Sequence, residues 1–312
     1  MPMYNKTEIG RVAQQYGFVR DVFEKVLRLK EILKYMNEEE ILREHLLLKG
    51  GTAINLTIFN LPRLSVDIDM DYTPNDTKEN MLEVREQITT LIKAYMDAEG
   101  YQLTDGSRFM HSLDAFYYQY INAGGNRDVI KIELNYSLRA HILEPVYRRI
   151  LPEAFDDGML IRMVAPMEIF AAKGNALISR AAARDLYDWG NMIQGKLFEE
   201  EKDMFRKCFA FYSTISAEVV NRSFDTSAID SLSFEKIRRD LFPVLSKKDN
   251  FMLAERKQQA KDYISTLMQL TEQEAEYMDR FMCKEYVPEL LFEDEAIVEC
   301  IRRHPMAIWK CR

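Results

Sequence analysis

Apolar positions recur at intervals of three and four from Phe18 through Val22, Val26, Leu29 and Leu33, which predicts a helix over 18–43. The period then changes. HLLLK (45–49) is a short apolar run closed by Gly50-Gly51, the pattern of a buried strand, and TAINLTIF (52–59) returns to helix with Thr52 as its N-cap. LSVDIDMDY alternates between apolar and polar positions and predicts a second strand. Asp76 and Glu79 suit a capping box that opens a long helix. Its Met81, Val84, Ile88, Leu91, Ile92 and Tyr95 keep to one stripe, and Gly100 stops it. AFYYQYIN and DVIKIELNY flank AGGNR (123–127) as a β-hairpin. LIRMV predicts one more strand before Pro166, a residue suited to a first helical turn, and nearly every later segment reads as helix.

These elements define an α+β protein: a small mixed sheet with flanking helices, then an all-helical part. The divisions expected are an N-terminal helical segment (1–44) packed on the core, an α/β domain (45–165) and a helical domain (166–312). Composition agrees, since 312 residues at 47% hydrophobic can bury a large core, and 12 Gly with 9 Pro leave helix dominant. MPMYNKTEIGRVAQQ lacks the apolar stretch of a signal peptide, and no apolar run reaches the roughly 20 residues that span a bilayer. A cytoplasmic protein without membrane attachment is expected. Cys208, Cys283, Cys300 and Cys311 lie far apart without a CxxC pair, as reduced thiols would. A net charge of −8 argues against a general nucleic-acid coat protein. Arg139, Arg148 and Arg149 in SLRAHILEPVYRRI form a local basic cluster, either a solvated face or a phosphate site.

The chemistry centres on the second strand. Alternation places Asp67, Asp69 and Asp71 on one face and Val66, Ile68 and Met70 on the other. Two carboxylates about 5 Å apart repel by roughly 3 kcal/mol at an effective dielectric near 20. A divalent cation between them reverses that sign, and hard oxygen ligands select Mg²⁺ or Mn²⁺. The bland alternative is an edge strand whose acidic face meets water. An EF-hand loop starting at Asp67 fails, because Tyr72 and Lys78 stand where Gly and Glu are required. No Lys-Ser or Lys-Thr follows the glycines as in a Walker A loop. DMDYT (69–73) matches the DxDxT of haloacid-dehalogenase-like phosphatases, but Asp67 interrupts the apolar strand that should precede it.

A strand, then Gly50-Gly51-Thr52, then a helix start presents free amide N–H groups and a positive dipole end to an anion. That turn followed by Asp67-Ile68-Asp69-Met70 resembles the polymerase-β-like nucleotidyltransferase superfamily. LKGGTAINL and PRLSVDIDMDY, with Arg63 and Ser65 ahead of the aspartates, resemble more closely the AbiEii/AbiGii-type nucleotidyltransferase toxins, including the MenT group. Two further segments extend the likeness. In VIKIELNY, Lys131, Glu133 and Asn135 share a face, so Glu133 can join the aspartates. In PMEIFAAKGNALISRAAARDLYDW, Lys173 and Arg180 are seven apart and Arg184 returns to the same helical line, giving a cationic stripe suited to phosphates or an ordinary surface.

The resemblance implies a metal-dependent nucleotidyltransferase that moves an NMP from an NTP to an acceptor hydroxyl. It implies Asp67, Asp69 and Glu133 as ligands of Mg²⁺ or Mn²⁺. It also implies Gly50, Gly51, Thr52, Arg63, Ser65, Lys173 and Arg180 at the nucleotide, and Asp185 as a catalytic or site-organising carboxylate. Asp188 and Tyr187 are expected to cap or pack. The helical domain is expected to close over the nucleotide. By the same likeness the chain is a toxin of phage defence, its acceptor the 3′ end of tRNA and its partner a cognate antitoxin with a winged-helix domain. Transfer to a protein or small molecule, and a non-catalytic nucleotide-binding module, are the competing readings.

Overall fold

The computed structural model describes residues 5–216, 220 and 222–312. The chain forms two compact units. The first comprises Met1–Arg139, Pro145–Val164 and Pro243–Asp249, and the second Ala140–Glu144, Ala165–Phe242 and Asn250–Arg312.

The first unit opens with helices α1 (Lys6–Tyr16), α2 (Arg20–Glu38) and α3 (Glu40–His45). The single helix expected over 18–43 is therefore broken. Asn37, Glu38, Glu39 and Glu40 offer no apolar side chain to the core, and Glu39 takes an extended backbone (φ −74°, ψ 121°). Phe18, Val26, Leu29 and Leu33 are buried as their spacing implies. Strand β1 (Leu46–Lys49) runs into helix α4 (Gly50–Ala53), and a π-helical turn over Ile54–Ile58 continues it. Side chains explain the widened turn: Asn55 Nδ2 donates to the Gly51 carbonyl and Thr57 Oγ1 to the Ala53 carbonyl, both at 2.7 Å.

Strand β2 (Asp67–Tyr72) follows, then helix α5 (Lys78–Ala98). Thr77, not Asp76, caps α5, because its hydroxyl reaches the Asn80 amide at 3.2 Å while Asp76 accepts from the Tyr72 hydroxyl. Short strands β3 (Gln102–Leu103) and β4 (Arg108–Phe109) precede the hairpin of β5 (Leu113–Ile121) and β6 (Arg127–Asn135), and β7 (Val146–Arg149) and β8 (Leu160–Met163) complete the sheet. Its order is β3-β5-β6-β2-β1-β8-β7, with β4 also paired to β5. Strand β2 lies near the middle, antiparallel to β1 and parallel to β6. Strands β3 and β4 are too short to show alternation, and three of the four residues of β7 are exposed, so the hydrophobic pattern carries no signal for them.

The second unit is built from α6 (Pro166–Arg180), α7 (Ala183–Gln194), α8 (Lys202–Ser216), α9 (Ser227–Asp230), α10 (Phe234–Asp240), α11 (Leu253–Leu267), α12 (Glu272–Met282), α13 (Glu295–Ile301) and α14 (Pro305–Lys310). Pro166 occupies the first turn of α6 as expected. Helices α6, α7 and α8 meet around Trp189, whose ring nitrogen donates to the Phe170 carbonyl at 2.9 Å. A side chain at position 174 would lie 2.1 Å from the Trp189 ring, so only glycine lets α6 and α7 come this close. Among the described residues, no helix is long and apolar enough to cross a membrane. All four cysteines are free.

Candidate active site

The central position of β2 fixes what its acidic face can meet. Ile68 and Met70 are buried on the opposite face, while Asp67 and Asp69 keep partial exposure. Antiparallel pairing sets Lys49 beside Asp69, and parallel pairing sets Lys131 beside Asp67 and Glu133 beside Asp69. Asp71 stands apart from the other two aspartates. It is 3% exposed and pairs with Lys49 Nζ at 2.5 Å, which anchors the end of β1 to β2.

The glycine turn is pressed against this row. Gly50 has φ +70°, and a Cβ there would sit 2.5 Å from Asp69 Oδ2. A Cβ on Gly51 would sit 2.7 Å from both Arg63 Nη2 and Ser65 Oγ. Arg63 is 2% exposed, donates to the Leu64 carbonyl at 2.8 Å and thus backs the turn from the interior. Thr52 does not cap the helix as expected. The helix begins at Gly50, and the Thr52 hydroxyl donates to the Asp67 carbonyl at 2.5 Å, tying α4 to β2. The first amides of α4 are thus held beside Asp69 by contacts on both sides of the turn.

Electrostatics mark the same place. Burial, reinforced by the charges of Asp67 and Glu133 and opposed by Lys49 and Lys131, pushes the Asp69 carboxyl up to about 6. Lys131 Nζ pairs with Glu133 Oε2 at 2.5 Å. Burial draws the Lys131 ammonium down, but the hydrogen bond to Glu133 and the charges of Glu133 and Asp67 leave it raised overall. Among the described residues no three His, Cys, Asp or Glu side chains converge into a ready metal cage. Asp67 and Asp69 nevertheless offer hard oxygen donors on an acidic face where one carboxyl resists ionisation, and that donor set fits a divalent cation.

In the second unit, Lys173 Nζ lies 2.6 Å from Asp185 Oδ1 and 2.9 Å from Asp188 Oδ2. Arg180 Nη2 lies 3.4 Å from Asp185 Oδ2, and its side chain is 71% exposed. The expected three-cation stripe is cut. Helix α6 ends at Arg180, Ala181 turns the chain with φ +45°, and Arg184 belongs to α7, where its Nε donates to the Asp240 carbonyl at 2.9 Å. Tyr187 is buried and packs on Phe251, with ring centroids 5.9 Å apart. Asp188 is more than a packing residue, because its 1% exposed carboxylate shares Lys173 with Asp185.

Sequence reasoning also passed over Lys49 and Lys131 as members of the site. The alternation of β6 already put Lys131 on the face of Glu133, but nothing local to either strand shows that the two pair or which cation meets Asp71.

A glycine turn and paired aspartates on the next strand of a mixed sheet are the arrangement that the resemblance to nucleotidyltransferases implies. Residues 31–281 match the profile of the family described as the nucleotidyl transferase AbiEii toxin of type IV toxin–antitoxin systems, and the chain belongs to that family. Among solved structures it is similar to MenT4, a nucleotidyltransferase toxin from Mycobacterium tuberculosis H37Rv. The TM-score is 0.65 at 16% identity, over 96% of this chain and 99% of that one. At that identity the likeness speaks for the fold. No curated protein matches the sequence. Membership makes the chain a nucleotidyltransferase toxin, with an NTP as substrate and an antitoxin as partner. Enzymes of this superfamily generally use divalent metals.

Proposed function

We propose that this enzyme transfers an NMP from an NTP to the 3′-terminal hydroxyl of tRNA, in the presence of Mg²⁺ or Mn²⁺, as a toxin of phage defence. The observation that carries the reading is Asp67 and Asp69 on the polar face of β2, with the Gly50-Gly51 turn packed against Asp69. The tRNA acceptor and the defence role rest on the family likeness.

Asp67 and Asp69, joined by Glu133, would hold the cation, which when bound would neutralise phosphate charge and acidify the attacking hydroxyl. The amides of Gly50 and Gly51 donate to the phosphates of the nucleotide. Thr52, Arg63 and Ser65 serve the nucleotide by fixing that turn. By the family likeness Lys173 and Arg180 would neutralise nucleotide phosphates, and Asp185, which pairs with both, would organise them. The acceptor oxygen forms its bond to the α-phosphorus as the bond to the β-phosphate oxygen breaks. Pyrophosphate leaves with the electron pair, and the hydroxyl proton passes to a carboxylate of the site.

The test supplies each α-³²P-labelled NTP with Mg²⁺ and either total RNA or total protein from bacteria, with Asp67→Ala/Asp69→Ala protein alongside. Label in RNA of tRNA size with the wild type alone is expected. Label in protein instead would replace the acceptor. Incorporation by the double variant would remove the aspartates from the chemistry.

A further inference from the structure

The polar face of the central strands carries more charge than the proposed cation site uses. Two lysines flank the acidic row, one from each neighbouring strand, and they are committed differently. Lys49 is tied to Asp71, a carboxylate 3% exposed, and serves to join β1 to β2. Lys131 is 27% exposed on its side chain and holds Glu133, which is exposed to the same extent. Its ammonium bends along its own strand, across two positions, to reach that carboxylate, although Asp67 lies opposite it in the sheet register. On the β5 side Glu133 faces only Ala115, whose side chain is too short to compete for the carboxylate. Among the described residues Lys131 is the one side chain that bonds the half-buried Glu133 carboxylate, and Asp69 already feels the charge of that carboxylate.

We propose that Lys131 is a displaceable counter-charge: its ammonium occupies a carboxylate oxygen of Glu133 beside Asp69, gives it up when a divalent cation binds Asp67 and Asp69, and then faces the nucleotide's phosphates. This rests on the reading of Asp67 and Asp69 as cation ligands. A carboxylate bonded to an ammonium at 2.5 Å has an oxygen engaged that a third ligand would need, so the cation must compete with Lys131 for it. The competition weakens the cation alone. It favours the cation arriving with a triphosphate, because the freed ammonium then finds an anion. Lys131 is thus a positioning residue that makes binding of the cation and of the nucleotide mutually dependent.

The experiment measures Mn²⁺ affinity of the full chain by electron paramagnetic resonance without nucleotide. It compares wild type, Lys131→Met, Glu133→Gln and the double variant, with Lys131→Gln as a second replacement and thermal melts to confirm folding. Removing Lys131 is expected to tighten Mn²⁺ up to about fivefold in the wild-type background, the scale of an ion pair of this exposure, and to do nothing once Glu133 is Gln. With Mn²⁺ saturating, the same Lys131 variants should bind a non-hydrolysable NTP about tenfold more weakly, an inversion of sign that a merely structural lysine would not produce. Equal tightening in both backgrounds would show that Lys131 acts only through its net charge and would overturn the proposal, as would no change in either. The reading beneath it is tested separately with Asp67→Asn/Asp69→Asn protein. Undiminished Mn²⁺ binding there places the cation elsewhere, whatever Lys131 does.

Discussion

Gly50 answers to two constraints at once, and each gives a measurable consequence. Its φ of +70° is strained for any L side chain, and a Cβ would strike the Asp69 carboxylate at 2.5 Å. Gly50→Ala is expected to destabilise the chain by about 2 kcal/mol in urea unfolding and to lower transfer activity at least tenfold by moving Asp69. An unchanged midpoint with unchanged activity would mean that the turn relaxes freely. Asp69 itself makes stability depend on pH. Its folded value of about 6 lies above the ordinary 3.8, so the protonated form is favoured by folding. The resulting stability is present below the unfolded value and is lost as pH rises through the folded one. Without divalent ions, Asp69→Asn should match the wild type near pH 4 and exceed it by up to about 3 kcal/mol at pH 7. A constant difference across that range would place the titration elsewhere. At this scale the sequence was informative, because period-two alternation and a glycine pair are local signals. What it could not show is that Asp71 is the anchor of Lys49, since that pair spans 22 positions and two strands.

Helices α6 and α7 show what element-level reasoning gains and loses. Lys173 and Arg180 do lie on one helix, but periodicity alone carried the line on to Arg184, across a break that no proline or glycine announces. The turn at Ala181 is a non-glycine residue at φ +45°, a conformation that a sequence of three alanines does not advertise. Its result is to bring Asp185 and Asp188, one turn apart on α7, to the ammonium of Lys173. These carboxylates are 6% and 1% exposed on their side chains, so removing Lys173 takes the shared ammonium from two buried acids. Lys173→Met is expected to cost about 3 kcal/mol in thermal unfolding, and Lys173→Met combined with Asp188→Asn to recover at least half of it. A double variant no better than the sum of its parts would mean that the cluster is not coupled. Activity should stay lost in both, because the cation is the part assigned to phosphate.

At the scale of the whole molecule, the unit that carries the aspartate row is not continuous in sequence. Residues 243–249 return to it from far along the chain. Leu64 donates its amide to the Val244 carbonyl at 2.7 Å, Lys247 donates its amide to the Gly17 carbonyl at 2.9 Å, and Ser246 Oγ donates to the Tyr16 carbonyl at 2.9 Å. Arg63, which backs the glycine turn, forms an isolated bridge with Leu245. Hydrophobic periodicity is blind to such a return, because the pattern of seven residues says nothing of a strand fragment 180 positions earlier. A fragment ending at residue 165, where the mixed part of the sequence gives way to helix, would keep every strand of the sheet and still lose this strap. At roughly 0.5–1.5 kcal/mol for each hydrogen bond, plus the burial of Val244 and Leu245, it should be less stable by about 2–4 kcal/mol than the same fragment carrying 243–249 on a Gly/Ser linker. Urea midpoints compare the two directly. Hydrogen exchange should place the difference at the Leu64 amide, which loses its acceptor, rather than across the hairpin. Equal midpoints would make the returning segment a passive crossing. A deficit confined to Leu64 and its neighbours would mean that the glycine turn depends on residues almost 200 positions downstream.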